Sequence, residues 1–316
     1  SQAAYLCLLA VAFLSSSGEV LREITYYAWV PSLPVEGLDR TNALSLSSQL
    51  VASDLIGPAL GGVLVAVSAG SAVALDGISF LVSVSIIATI RAPKATADAA
   101  HPQADELGGL LSGARFVLRS TPLIVALLIS ALINTGETVG TAVLVIWVQE
   151  VLGGGSVLYA GLLIAGAVGG ITGTALITRQ RELRRSKLLL CSIAITAATF
   201  GAACVTSSAA VGILAFAALG AATIGLNVVL VGFRQRATPP FILGRVNGVF
   251  RLVSWGLTPA AAAIAGWLAG GGGAPSVLGL RTNWAIAAVM TAGAGLIAWK
   301  QRAIFDRAHQ ESAHDA

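Results

Sequence analysis

Charge is what this sequence has least of. Only 11% of its 316 residues are Asp, Glu, Lys or Arg, less than half of the roughly 25% found in soluble domains. A water-soluble enzyme and a disordered chain are both excluded, because 56% of the residues are hydrophobic and neither class can carry that load. Histidine is scarce as well: His101, His309 and His314 lie outside the apolar runs. The three cysteines, Cys7, Cys191 and Cys204, fall inside those runs, so they imply neither a disulfide framework nor a metal site with Cys/His spacing. No serine or threonine has a base at motif spacing, so no catalytic residue is expected. The net charge of +4 sits in short clusters between apolar runs, which reads as membrane topology and not as a nucleic-acid face. The opening run is not expected to be a leader either. Residues 5–33 lack a basic flank and a small-residue cleavage site, and the only methionine is Met290, so the reading expects chain before Ser1.

What is present is a series of long apolar runs. A bilayer core about 30 Å thick needs about 20 apolar residues per helix. That ruler finds nine spans: 5–33, 43–69, 71–90, 121–148, 156–178, 187–206, 208–233, 246–270 and 283–300. A membrane barrel would need alternating polarity, and these runs are continuous. The chain is therefore expected to be an all-α polytopic membrane protein. Its longest polar stretch, 91–120, ends in an amphipathic pattern over 107–119 that suits a helix on the membrane surface. Arg179, Arg181, Arg184, Arg185 and Lys187 crowd one link, Arg234, Arg236 and Arg245 another, and Lys300, Arg302 and Arg307 the tail. The alternate links 149–155 and 207 carry no Lys or Arg, and 271–282 carries only Arg281. The positive-inside bias places the basic links and the C-terminus in the cytoplasm.

Three spans precede the long polar stretch and six follow it. A shift of 205 residues lays Pro34 on Pro239, Leu38 on Leu243, Arg40 on Arg245, Asn42 on Asn247 and Gly61 on Gly266. The separation is six spans, the mark of a transporter built from two parallel six-helix halves. Two further blocks carry a family likeness: Val30-Pro31-Ser32-Leu33-Pro34-Val35-Glu36-Gly37-Leu38-Asp39-Arg40-Thr41-Asn42-Ala43-Leu44, and Ile56-Gly57-Pro58-Ala59-Leu60-Gly61-Gly62. Arg236-Ala237-Thr238-Pro239 and Gly244-Arg245-Val246-Asn247-Gly248-Val249 extend it. The chain resembles the major facilitator superfamily, in its drug, macrolide and siderophore exporter branch, which includes enterobactin exporters. Ser53 stands where the antiporter motif of that branch has its first glycine. The resemblance implies a two-half bundle with helices 4 to 12 of twelve in this chain, and an N-terminal truncation. It divides the chain into a remnant of the first half (1–90), a cytoplasmic loop (91–120), a six-helix half (121–302) and a cytoplasmic tail (303–316).

An ionisable group at bilayer depth is costly unless it is paired or solvated, so each marks a functional position. Glu19, Arg22 and Glu23 share one face of the first span by their spacing of three and four. They form either a self-neutralising cluster or a substrate and proton site. Glu137 lies mid-span with Asn134 one turn before it, as a proton or substrate site or as a carboxylate capped by Asn134 and Thr141. Thr223 and Asn227, again one turn apart, offer neutral hydrogen bonds to a ligand or to a neighbouring helix. Asp54 is expected to satisfy backbone groups freed at Gly57-Pro58, and the Arg40/Asn42 and Arg245/Asn247 pairs to serve conformational change.

The expected function is proton-coupled efflux of amphipathic small molecules by alternating access, powered by the proton gradient with no cofactor and no metal. Import of a small nutrient and an inactive truncated fragment are the alternatives. The expected partners are a small amphipathic substrate and the lipid bilayer, with no nucleic acid, and the expected state is a monomer in the cell membrane.

Overall fold

Inside hydrocarbon no water meets backbone N–H and C=O groups, so an apolar run must close its own hydrogen bonds. In a computed structural model of the chain, every element among the described residues is a helix. The structure describes residues 38–50, 68–89, 109–179, 184–271 and 273–306, and singly Gly18, Tyr26, Ala52, Ile56 and Gly57. In chain order the helices are α1 (Leu38–Leu50), α2 (Ala69–Thr89), α3 (Gly109–Arg119), α4 (Thr121–Thr141), α5 (Leu144–Glu150) and α6 (Ser156–Arg179). Then come α7 (Arg185–Val205), α8 (Ala209–Arg236), α9 (Pro240–Gly256), α10 (Thr258–Gly270) and α11 (Val277–Lys300).

Six spans among the described residues are long and apolar enough to cross a membrane: α4, α6, α7, α8, the pair α9–α10, and α11. They coincide with the six runs expected after the polar stretch. The helices outrun the hydropathy reading at two places. α9 begins at Pro240 and α11 at Val277, each about two turns before the apolar run expected there. The reason is that Arg245 and Arg281 depress the apolar signal without breaking the helix. Nη1 of Arg245 donates to Ser112 Oγ at 3.1 Å, and Nη2 of Arg281 donates to Ser207 Oγ at 2.9 Å. Most of the first span, the second half of the second span and the tail beyond residue 306 lie outside the described residues.

One span is also broken. α9 ends at Gly256 and α10 starts at Thr258-Pro259, with Leu257 between them. Pro259 has no N–H to offer the Trp255 carbonyl one turn back. Thr258 Oγ1 donates to that carbonyl instead, at 2.7 Å, so no orphan acceptor is left in lipid.

Small residues let the backbones approach. α6 lies along α8, and a methyl group added at Gly169 would strike the Ala217 carbonyl, one at Gly220 the Gly166 carbonyl. α11 is packed between α4 and α7, and α7 between α11 and α8. The apolar core forms two layers along the bundle. One joins Val117, Leu123, Phe233, Ile242, Val246 and Phe305. The other joins Trp147, Leu162, Phe200, Phe216, Leu280 and Trp284, with Trp147 and Phe216 both edge-on to Trp284 at 5.4 and 6.3 Å between ring centres.

Candidate functional site

Polar groups are rare enough in this bundle that their placement can be followed one by one. On α4, Ser130, Asn134, Glu137, Thr138 and Thr141 are spaced by four, three, one and three, which sets them in one stripe. All five are half-buried, while Ile133, Gly136, Val139 and Gly140 beside them are buried. Three hydroxyls of the stripe turn back on their own helix: Ser130 donates to the Ala126 carbonyl, Thr138 to Asn134 and Thr141 to Glu137, at 2.9, 2.8 and 2.7 Å. Thr141 therefore bonds the backbone of Glu137 and not its carboxylate. Among the described residues neither that carboxylate nor the Asn134 amide has a hydrogen-bond or ion-pair partner. Glu137 is the seventeenth of the 21 residues of α4, a helix long and apolar enough to cross a bilayer.

On α8, Thr223 and Asn227 are half-buried. Thr223 Oγ1 donates to the Leu219 carbonyl at 3.0 Å, and Asn227 Nδ2 to the Thr223 carbonyl at 2.9 Å. Their donors thus serve their own helix, and among the described residues neither bonds a neighbouring helix. α4 and α8 touch directly.

Of the two segments matched by the repeat, Asn42, the fifth residue of α1, and Asn247, the eighth of 17 in α9, are both buried. α1 packs on α6 and α8, and Asn42 Nδ2 donates to Gln235 Oε1 at 2.8 Å across 193 residues of sequence. Asn247, by contrast, has neither amide atom bonded. Arg40 is exposed, and Arg245 reaches α3 as described. Gly57 has helical backbone and is exposed. Glu19, Arg22, Glu23, Asp54, Pro58, Gly61 and Gly62 lie outside the described residues.

Sequence reasoning passed over Arg251, a cation within the α9–α10 span. Its guanidinium lies 4.7 Å from the ring centre of Trp255, one turn further on. The signal was there, since an arginine four residues before a tryptophan can stack on it in a helix. Gln235 was missed for want of any signal, because its partner is in another part of the chain.

The described parts of the basic links meet at one end of the bundle. Arg234 at the end of α8 stacks on Phe250 of α9 at 4.8 Å, and Arg245 of α9 bonds α3. Asp306, just after α11, accepts from the Ser186 amide and hydroxyl at the start of α7, at 3.1 and 2.8 Å. The links 149–155, 206–208 and 271–276 mark the opposite end, where Arg281 is half-buried.

Searches of curated proteins and of solved structures found no match. The family described as transmembrane secretion effectors matches residues 2–314, nearly the whole chain. With six spans long enough for a bilayer and packed through small residues, this is a multi-pass membrane protein of the transport class, and it belongs to that transmembrane secretion effector family of the major facilitator superfamily.

Proposed function

We propose that the protein is a proton-coupled exporter of amphipathic small molecules, of drug, macrolide or siderophore type, working by alternating access. The observation that carries this reading is the α4 stripe, with the Glu137 carboxylate free of any bond among the described residues inside a helix long enough to cross a bilayer. Lipid cannot solvate a carboxylate, so a half-buried one in a span is best explained by a water-accessible cavity between helices. A carboxylate with no counter-ion among the described residues is free to bind and release a proton as that cavity changes sides. The apolar setting, dominated by Ala, Leu, Val and Gly, favours an amphipathic substrate over a sugar. The basic end of the bundle is assigned to the cytoplasm by the positive-inside bias, and the proton gradient of the cell membrane supplies the energy.

Glu19 and Glu23 are the rival proton sites. By their spacing of three and four, Arg22 would share one face with them, and that face suits holding charge or substrate. Proton-driven efflux by the full-length protein at matched expression tests the roles. Glu137→Gln keeps side-chain volume and loses the titrating proton, so it is expected to fold normally and to abolish proton-dependent efflux. Normal pumping by that variant together with failure of Glu19→Gln or Glu23→Gln would reverse the assignment.

A further inference from the structure

We propose that the outer face of α3 binds the phosphate headgroups of anionic phospholipids. α3 is locked in rotation about its axis. Val117 is in the core, Ser112 accepts from Arg245, and Gly113 lies so close to the Arg245 backbone that an added methyl would come within 2.7 Å of its carbonyl. The face left over carries Leu111, Arg115, Leu118 and Arg119, all exposed, with the leucines 80% and 71% open. Spacings of four, three and one hold these four within an arc of about 100° at 3.6 residues per turn. Neither arginine has a partner among the described residues, and no acid lies in α3 or in the first turn of α4.

Water suits the arginines and not the leucines, whereas hydrocarbon suits the leucines and not the arginines. The boundary between phosphates and acyl chains suits both, with the leucines buried and the guanidinium groups raised to the phosphates. Two features place α3 at that boundary. It runs into the spanning helix α4 through the single residue Ser120, and it lies at the end of the bundle where the basic links gather. Arginine binds phosphate through two parallel N–H groups, and each such cation near an anionic surface strengthens attachment about fivefold. A second protein is the weaker fit, since it would have to supply acids and an apolar ridge together.

The full chain, extracted from bilayers of equal phosphatidylglycerol and phosphatidylcholine, is weighed with its retained lipid by native mass spectrometry. The wild type is expected to retain phosphatidylglycerol in excess, and Arg115→Gln/Arg119→Gln to lose most of that excess. Arg184→Gln, an exposed arginine at the same end but off α3, is expected to keep it. Three outcomes overturn the proposal: an unchanged excess in the double variant, an equal loss in Arg184→Gln, or a wild-type dimer that the double variant dissolves. A fall in the double variant's melting temperature in neutral detergent would also count against it, by giving the arginines a role in the fold.

Discussion

Asn42 and Arg251 meet the same difficulty, a polar group among apolar helices, by different means. Arg251 covers its charge with the face of Trp255, and because Trp255 is exposed the pair can lean toward the bilayer surface. Asn42 instead finds another amide, on α8. That bond joins α1 to the helices that follow the long polar stretch, and both groups are buried. Losing a hydrogen bond between two buried amides costs about 1–3 kcal/mol. Asn42→Ala and Gln235→Ala are each expected to lower stability by that order. The double variant is expected to lose less than the two losses added, because the pair acts as a unit. Thermal unfolding in a fixed detergent checks this, and strict additivity would show that the bond contributes nothing. Neither residue advertised the pairing. A separation of 193 residues has no period for a sequence pattern to follow, whereas Asn134 and Glu137, one turn apart on a single helix, did.

At the scale of elements, the small residues of α6 and α8 act by what they leave out. Gly169 and Gly220 each face backbone carbonyls of the other helix, so a larger side chain must push the helices apart along the tightest contact in the bundle. Gly169→Leu is expected to cost at least the about 1–3 kcal/mol typical of overpacking and to cut the yield of folded protein. Gly161→Leu, on the same helix with nothing within 4 Å of its added methyl, is the control and should be tolerated. Equal yields of the two would refute the close-contact account. Gly169 and Gly173 of α6 lie close against α8, whereas Gly161 on the same helix does not. Which glycine makes the contact was not readable, because it depends on the rotation of α6 about its axis. Helix breaks escaped the span reading: the run 246–270 passes over Pro259, where α9 gives way to α10, and the turn at Ala142-Val143 between α4 and α5 has no proline or glycine to mark it.

For the molecule as a whole, the alternation of basic and bare links was the strongest signal in the sequence. A bilayer forces each apolar run across it, so loop composition becomes spatial order: the arginines of separate links meet at one end, tied by Arg234 to Phe250 and Asp306 to Ser186. Sequence reading could not see that these ties lock the helix ends together. Sidedness is a separate matter from order, since the same bundle could be inserted either way up. The positive-inside bias predicts the basic end in the cytoplasm. Single cysteines placed at Arg184 and Ser208, in a protein freed of Cys7, Cys191 and Cys204, are at opposite ends of α7 and at exposed positions. A membrane-impermeant thiol reagent added to intact cells should label the cysteine at 208 and spare the one at 184 until the membrane is opened. The reverse pattern would invert the topology, and with it the direction of transport relative to the proton gradient. Labelling of both from outside would mean that α7 does not cross the bilayer, which would remove the six-span bundle on which the role of Glu137 rests.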